Sequence, residues 1–153
     1  VLRCMQDLRE DPVVQEAGCL ALRNLSCSME PRKAVLQLEG DEEVLQTIES
    51  HSSSPQVLET ALDALIIISP SPERLTELGV LEQARSAMQQ HHRAASLHAK
   101  ACRLIAHMGS GGEETRDHVR RLNARELVHR SKLAFLRSEE VQEAANEALM
   151  VLD

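Results

Sequence analysis

The chain has 153 residues, of which 42% are hydrophobic, and a formal net charge of -7 at pH 7. Its hydrophobic content excludes a disordered tail, so we expect a packed core. The negative charge argues against binding to nucleic acid or to acidic membranes, and no apolar run approaches the roughly 20 residues of a membrane-spanning helix. Phe135 is the single aromatic residue, and a core of aliphatic side chains is typical of packed helices rather than of sheets.

One helical pattern recurs four times along the chain. Its copies begin at Val14, Val57, Leu97 and Val141, so the starts are 43, 40 and 44 residues apart. Each copy places apolar residues at helical spacing over about thirteen residues. A period of this length is typical of stacked helical units, none of which can bury its apolar face alone.

In chain order, the sequence predicts one partial repeat and three complete repeats. The partial repeat covers residues 1–26 and contains a short helix followed by the first copy of the recurring helix. Each complete repeat contains a short helix, a second helix and the recurring helix. The complete repeats cover residues 30–69, 71–109 and 113–153.

Turn and capping residues mark the predicted helix boundaries. Gly40, Gly79 and Asn123 lie 17, 18 and 18 residues before a copy of the recurring helix, and we expect the chain to turn at them. Gly109 follows the end of a recurring helix and predicts a left-handed cap. Several other helices should begin after a residue whose side chain can cap them, in most cases followed by proline. These capping residues are Asp11, Ser54, Ser71 and Ser138.

The recurring helix resembles the third helix of armadillo repeats, which commonly reads V-Q-x-x-A-A-x-A-L-x-N-L-A. The first and last copies match it best, and HEAT repeats are the nearest alternative, although the marks at Gly40 and Gly79 favour three helices per repeat over two. The resemblance implies an all-α fold: a single domain, residues 1–153, forming a right-handed α-solenoid of about three and a half armadillo-type three-helix repeats. The matching residues are Val14-Gln15, Ala21-Leu22, Asn24-Leu25-Ser26, Val141-Gln142, Ala144-Ala145 and Ala148-Leu149.

Aligned positions that are apolar in every copy are expected to form the core. One of these columns contains only small residues, so neighbouring helices can approach closely there. The columns are Val14/Val57/Leu97/Val141, Gly18/Ala61/Ala101/Ala145, Ala21/Ala64/Leu104/Ala148, Leu22/Leu65/Ile105/Leu149 and Leu25/Ile68/Met108/Leu152.

The armadillo resemblance implies that the columns of variable chemistry lie on a concave face that binds a partner. These columns are Leu20/Asp63/Arg103/Glu147, Arg23/Ile66/Ala106/Met150 and Asn24/Ile67/His107/Val151. Of the asparagine ladder in peptide-binding armadillo proteins only Asn24 is present, and the accompanying tryptophans are missing, which argues against a receptor for nuclear localisation signals. Arg23 and Arg103 flank Ile66 and Ile67, and apolar anchors beside arginine are usual at interaction centres. The alternative is that both isoleucines are buried by the next helix or by repeats outside this sequence. The predicted partner-binding residues are Leu20, Arg23, Asn24, Asp63, Ile66, Ile67, Arg103 and His107.

We therefore expect a protein-interaction scaffold or adaptor that binds a peptide or helix with apolar anchors and acidic groups. One alternative is an intramolecular regulatory module of a larger parent protein, such as an enzyme. Another is self-association through the uncapped ends of the repeat array. Residue 1 is Val rather than Met, which we interpret as a segment of a longer protein. No signal-peptide pattern opens the chain.

Catalytic and metal sites are not predicted. No nucleophile with a general base can be recognised, and the glycines around Gly111 lack the Lys-Ser/Thr of a phosphate-binding loop. His98 and Cys102 are four residues apart, but no further ligands complete a tetrahedral set. We interpret the histidines as solvated loop residues and Cys102 as a buried thiol, and we expect no cofactor.

Cysteine usage and Ser-Pro pairs bear on the compartment and on modification. The four cysteines show no CxxC pair or regular framework, which favours reduced thiols in the cytoplasm or the nucleus. Ser54, Ser69 and Ser71 each precede a proline, so they are candidates for proline-directed phosphorylation as well as for helix capping.

Overall fold

The computed structural model describes all residues, Val1–Asp153, and contains eleven α-helices and no strand. Helices account for 78% of the residues, so the predicted all-α class is confirmed. None of the helices combines the length and the apolar character that crossing a membrane requires. The chain forms two compact units, Val1–Pro70 and Ser71–Asp153. Their boundary falls between the predicted repeats 30–69 and 71–109.

Unit 1 contains five helices: α1 (Leu2–Asp7), α2 (Pro12–Leu25), α3 (Met29–Gln37), α4 (Gly40–Ser50) and α5 (Pro55–Ile68). The copies of the recurring pattern are α2 and α5, and these two helices pack against each other. Helix α4 packs against both of them, which encloses the core of unit 1.

Unit 2 contains two successive triplets of helices, and the recurring pattern forms the last helix of each triplet. Within each triplet the first helix is short, the second has 11 residues and the third has 14 or 15 residues. The same order of lengths occurs in α3 to α5 of unit 1. The helices of unit 2 are α6 (Pro72–Glu77), α7 (Val80–Gln90), α8 (Ala95–Gly109), α9 (Glu113–Arg121), α10 (Ala124–Ala134) and α11 (Glu139–Leu152).

The predicted N-terminal caps are confirmed. Asp11 Oδ1 accepts hydrogen bonds from the backbone N–H groups of Val13 and Val14 at the start of α2. Ser54, Ser71 and Ser138 cap α5, α6 and α11 in the same way. Each such cap satisfies a backbone donor that would otherwise lack a partner, and is worth about 1 kcal/mol.

The turn predicted at Gly40 is wrong by one residue. The left-handed residues before the second helices are Glu39, Gly79 and Asn123, with φ of 56°, 69° and 53°. Gly40 is instead the first residue of α4, where a Cβ atom would clash with Val35 Cγ1 and lie 2.9 Å from the backbone oxygen of Val35. The glycine therefore allows α3 and α4 to meet closely.

The left-handed cap predicted at Gly109 is also wrong, because Gly79 is the only glycine with positive φ. Gly109 is the buried last residue of α8. A Cβ atom on it would lie 2.9 Å from Val151 Cγ1 and 3.2 Å from Leu152 Cδ2. The absence of a side chain at Gly109 lets α11 approach α8.

Most of the predicted core columns are buried. The small column is fully enclosed, because Gly18 is buried and Ala61, Ala101 and Ala145 are 0% exposed. The clear exception is Leu25, which is 47% exposed at the C-terminal end of α2. Its equivalents Ile68 and Met108 are completely buried. Leu25 therefore has the apolar side chain that the pattern predicts, but neighbouring residues do not cover it.

Side chains at one position of the recurring helix bind the end of the helix before it. In unit 1, Gln15 Nε2 donates to the backbone oxygens of Met5 and Leu8, at 2.8 and 3.1 Å. In unit 2, Gln142 Nε2 donates to those of Lys132 and Phe135 at the same two distances. These bonds satisfy carbonyl groups that a helix C-terminus leaves without intrahelical partners.

His98 occupies this same position in α8, and its interpretation as a solvated loop histidine is wrong. It is 6% exposed, its Nε2 lies 3.3 Å from the backbone oxygen of His91, and its Nδ1 lies 2.7 Å from Ser131 Oγ on α10. Unit 1 contains a matching bond, in which Thr47 Oγ1 on α4 donates to Gln15 Oε1 at 2.8 Å. In each unit, a buried polar contact therefore links a recurring helix to the second helix of the following repeat.

Candidate protein-binding surfaces

Six of the eight predicted binding residues lie in unit 1, on the packed pair of helices α2 and α5. We call this set the α2/α5 surface. Leu20 and Asn24 are exposed and the other four residues are half-buried, so every member can be reached by solvent. Its members are Leu20, Arg23 and Asn24 on α2, and Asp63, Ile66 and Ile67 on α5.

Arg23 does not present an unpaired cation to a partner, as its position beside an apolar patch had suggested. Its Nε lies 2.7 Å from Asp63 Oδ2, and both side chains are about a quarter to a third exposed. Its Nη1 also donates to Asn24 Oδ1 at 3.3 Å. The ion pair joins α2 to α5, and because it is partly solvated it contributes at most about 1 kcal/mol.

Ile66 and Ile67 are each half-buried, unlike the adjacent residues of α5. Leu65 and Ile68 are completely buried, since they face the core of unit 1. The two isoleucines therefore retain part of their apolar surface in contact with water. Leu20, which is 47% exposed, adds a further apolar side chain on α2.

The remaining two predicted residues, Arg103 and His107, lie one turn apart on α8 in unit 2, and both are half-buried. Arg103 Nη1 is 3.7 Å from Glu140 Oε1 on α11, so this arginine too has a carboxylate partner within its own unit. Ala106, which shares a column with Arg23 and Ile66, is only 4% exposed.

The most exposed apolar side chains among the recurring helices of unit 2 are Met150, which is 81% exposed, and Val151, which is 38% exposed. Both lie near the end of α11 and were not among the predicted binding residues. A signal for them was present, because they occupy the same two columns as Ile66 and Ile67. With Arg103 and His107 they define the α8/α11 surface.

Neither of the two buried cysteines is in a state suited to nucleophilic or metal chemistry. Burial raises the pKa of the Cys19 thiol and that of the Cys102 thiol to about 12, so both stay protonated at neutral pH, whereas the thiolate is the reactive form. All four cysteines are free thiols. No group of three or more His, Cys, Asp and Glu side chains is close enough to hold a metal ion.

A cavity of about 320 Å³ lies beside His98 and is lined in part by Met88, Leu127 and Arg130. Both ring nitrogens of His98 are engaged with protein atoms, and burial lowers its pKa. The ring is therefore held in place by His91, which directly follows α7, and by Ser131 on α10.

Comparison with known proteins adds no relative: no protein-family model matches the chain, and no curated protein or solved structure matches it.

Proposed function

We propose that this chain is a protein-interaction scaffold of the armadillo-repeat type, a right-handed solenoid of about three and a half three-helix repeats. The proposal is supported by the recurrence of helix lengths and by the left-handed residue that lies 18 positions before three of the recurring helices. In this proposal the partner, a peptide or a helix, binds to the exposed side of the recurring helices.

The observation that carries the binding proposal is the presence of accessible apolar side chains on recurring helices of both units. Leu20, Ile66 and Ile67 provide them in unit 1, and Met150 and Val151 in unit 2. Apolar anchors that become fully covered in a complex supply most of its binding energy.

The arginines of both surfaces already pair with carboxylates of the chain, and this limits how acidic groups of a partner can contribute to binding. Because Arg23 pairs with Asp63 and Arg103 with Glu140, a carboxylate on the partner must share or displace an internal carboxylate. Apolar anchors therefore provide affinity, while acidic groups of the partner contribute mainly to its orientation.

The test is an affinity capture from cytoplasmic and nuclear lysates with the wild-type chain and with Ile66→Asp/Ile67→Asp, followed by mass spectrometry. We expect a protein recovered by the wild type to be lost from the variant. Val13→Asp is the matched control, because Val13 lies on α2 in the same unit and is 73% exposed. Circular dichroism must show that all variants are helical, and Leu20→Asp replaces the double variant if the latter unfolds. Equal recovery by the folded binding variants would refute the proposed surface.

Self-assembly is a second candidate function, favoured by exposed leucines outside these surfaces. Leu133 and Leu136, near the end of α10, are 70% and 69% exposed. Sedimentation of the wild type against Leu133→Asp/Leu136→Asp tests this candidate. A concentration-dependent oligomer that becomes monomeric in the variant would support self-assembly, and a wild type that is monomeric at all concentrations would refute it.

A further inference from the structure

The cavity of about 320 Å³ beside His98 lies within unit 2, where helices of two successive triplets meet. Its deeper lining includes Met88 and Leu127, which are at most 9% exposed. No acidic residue lines the cavity, and none of its lining residues belongs to the α2/α5 or the α8/α11 surface. The following inference therefore does not depend on the function proposed above. The polar groups at the mouth of the cavity are the exposed side chains of Gln89, His92 and Arg130.

Unit 1 has helices at the corresponding positions, with a different set of side chains. Alignment of the recurring helices and of the left-handed residues places α1, α2 and α4 of unit 1 at the positions of α7, α8 and α10 of unit 2. The hydrogen bonds support this alignment. Thr47 on α4 bonds to Gln15 on α2, and at the aligned positions Ser131 on α10 bonds to His98 on α8.

A carboxylate of the chain itself lies between these helices in unit 1. Glu43 on α4 is only 7% exposed. Its Oε1 and Oε2 accept hydrogen bonds from Arg9 Nη2 at 3.2 and 3.3 Å, and its Oε2 also accepts from Gln6 Nε2 on α1 at 3.4 Å. Arg9 Nη1 donates in addition to Gln46 Oε1 on α4. The donors beside α1 are therefore satisfied by oxygen atoms of α4.

Unit 2 keeps donors at the aligned positions but has no carboxylate among them. Leucine replaces the buried glutamate, and histidine replaces the arginine that binds it. An arginine also replaces the glutamine whose oxygen accepts from that arginine in unit 1. Neither His92 nor Arg130 forms an ion pair with a carboxylate of the chain. The aligned pairs are Gln6/Gln89, Arg9/His92, Glu43/Leu127 and Gln46/Arg130.

The lining of the cavity suits a ligand that is apolar at one end and anionic at the other. Met88 and Leu127 offer buried apolar surface to a hydrocarbon chain. At the mouth, the guanidinium group of Arg130 and the side chains of Gln89 and His92 can donate hydrogen bonds to a carboxylate, and such bonds are strong because the acceptor is charged. Ligand pockets have volumes of about 300–1,000 Å³, so a cavity at the lower end of this range suits a small molecule.

We propose that this cavity binds a small aliphatic carboxylic acid as its anion, with the hydrocarbon chain against Met88 and Leu127 and the carboxylate at the mouth beside Arg130. The ligand then supplies to unit 2 the group that Glu43 supplies to unit 1. An acidic side chain of a partner protein fits less well, because its hydrocarbon part is short and its backbone must remain outside, which leaves the apolar lining uncovered.

The probe for the test is hexanoate, titrated at constant ionic strength into the full chain carrying ¹³C-labelled methyl groups and followed by NMR. We expect saturable shifts at the methyl groups of Met88 and Leu127. Hexanamide is the matched control ligand, because it has the same chain without the charge, and it should bind about tenfold more weakly. A blocked tripeptide with glutamate between two alanines represents an acidic side chain of a partner, and it should bind more weakly than hexanoate.

Variants of the chain test the role of each group. Arg130→Gln, which introduces the residue found at this position in unit 1, should weaken hexanoate binding several-fold. The control Arg116→Gln removes the same charge from an exposed position of unit 2 outside the cavity and should leave binding unchanged. Leu127→Glu should abolish binding, because it supplies an internal carboxylate as Glu43 does.

Four results would overturn the proposal. These are the absence of saturable shifts at Met88 and Leu127, equal binding of hexanoate and hexanamide, equal effects of Arg130→Gln and Arg116→Gln, and tighter binding of the glutamate peptide than of hexanoate. The last result would assign the cavity to an acidic side chain of a partner protein. Arg130 is exposed, so Arg130→Gln keeps the proposal testable even if circular dichroism shows that Leu127→Glu unfolds.

Discussion

Glu39 is a non-glycine residue in the left-handed region, and replacing it by glycine should stabilise unit 1. Its φ is 56°, a conformation that costs an ordinary L-residue about 1–2 kcal/mol. Glycine removes that strain but raises the entropy of the unfolded chain, at a cost of about 0.5–1 kcal/mol. We therefore expect Glu39→Gly to increase the free energy of unfolding by up to about 1.5 kcal/mol.

The neighbouring substitution Gly40→Ala should act in the opposite direction for a different reason. The new Cβ atom would clash with Val35 Cγ1 and lie 2.9 Å from the backbone oxygen of Val35, so α3 and α4 would have to separate. Overpacking of this kind typically costs about 1–3 kcal/mol.

Urea unfolding followed by circular dichroism measures both changes, and thermal unfolding should show Tm shifts of roughly 2–4 °C for each kcal/mol. Asn123→Gly is a matched control: Asn123 has φ of 53°, but asparagine tolerates this region better than glutamate, so the gain should be smaller. If the turn residue were Gly40, Glu39 would lie in regular backbone and Glu39→Gly would destabilise the fold. A loss of stability in Glu39→Gly would therefore refute this argument.

Three further predictions concern buried groups. Thr47→Val should destabilise the chain by about 1–3 kcal/mol in urea unfolding, because it leaves Gln15 Oε1 buried without its donor; a neutral effect would show that the bond is dispensable. His98 has a lowered pKa in the folded state, so its contribution to stability is complete above its unfolded pKa of about 6.5 and is lost as the pH falls toward the folded pKa. Between about pH 7 and pH 5, the free energy of unfolding should therefore fall less in His98→Gln than in the wild type. An unchanged pH profile would contradict this assignment. Cys19 and Cys102 are buried with raised pKa values. A thiol reagent should therefore label the two exposed cysteines of the native chain quickly, and should label Cys19 and Cys102 only after denaturation. Rapid labelling of all four cysteines would indicate an open core.

The helices and their starts could be predicted because the signals for them are local. A capping side chain such as that of Asp11 or Ser54 acts within three residues of its position, and the apolar period is read along a single helix. The two glycine assignments failed because a glycine serves either positive φ or close approach, and a single sequence does not distinguish these uses. At Gly40 and Gly109 the deciding contacts, with Val35 and Val151, depend on how helices pack.

The positions of the candidate binding residues could be predicted from the aligned columns, but the ion pairs that these residues form could not. The alignment placed Ile66, Ile67, Met150 and Val151 in the same two columns, and all four have accessible apolar surface. It could not reveal that Arg23 already has a carboxylate partner, because Asp63 lies forty residues away and meets it only through the packing of α5 against α2. The exposure of Leu25 could not be predicted for a related reason: an apolar column does not state which neighbouring residues cover each of its members.

The distribution of charge adds a constraint on partners that the total charge conceals. Unit 1 contains twelve acidic and five basic residues, whereas unit 2 contains twelve of each, so the net charge of -7 belongs entirely to unit 1. A partner with acidic groups is therefore repelled by unit 1 at long range and not by unit 2, and salt at physiological concentration screens this repulsion beyond about 8 Å. It follows that the α2/α5 surface, taken by itself, should favour partner segments with apolar or basic groups. The α8/α11 surface, taken by itself, should tolerate acidic groups better, because Arg103 pairs only loosely with Glu140 at 3.7 Å.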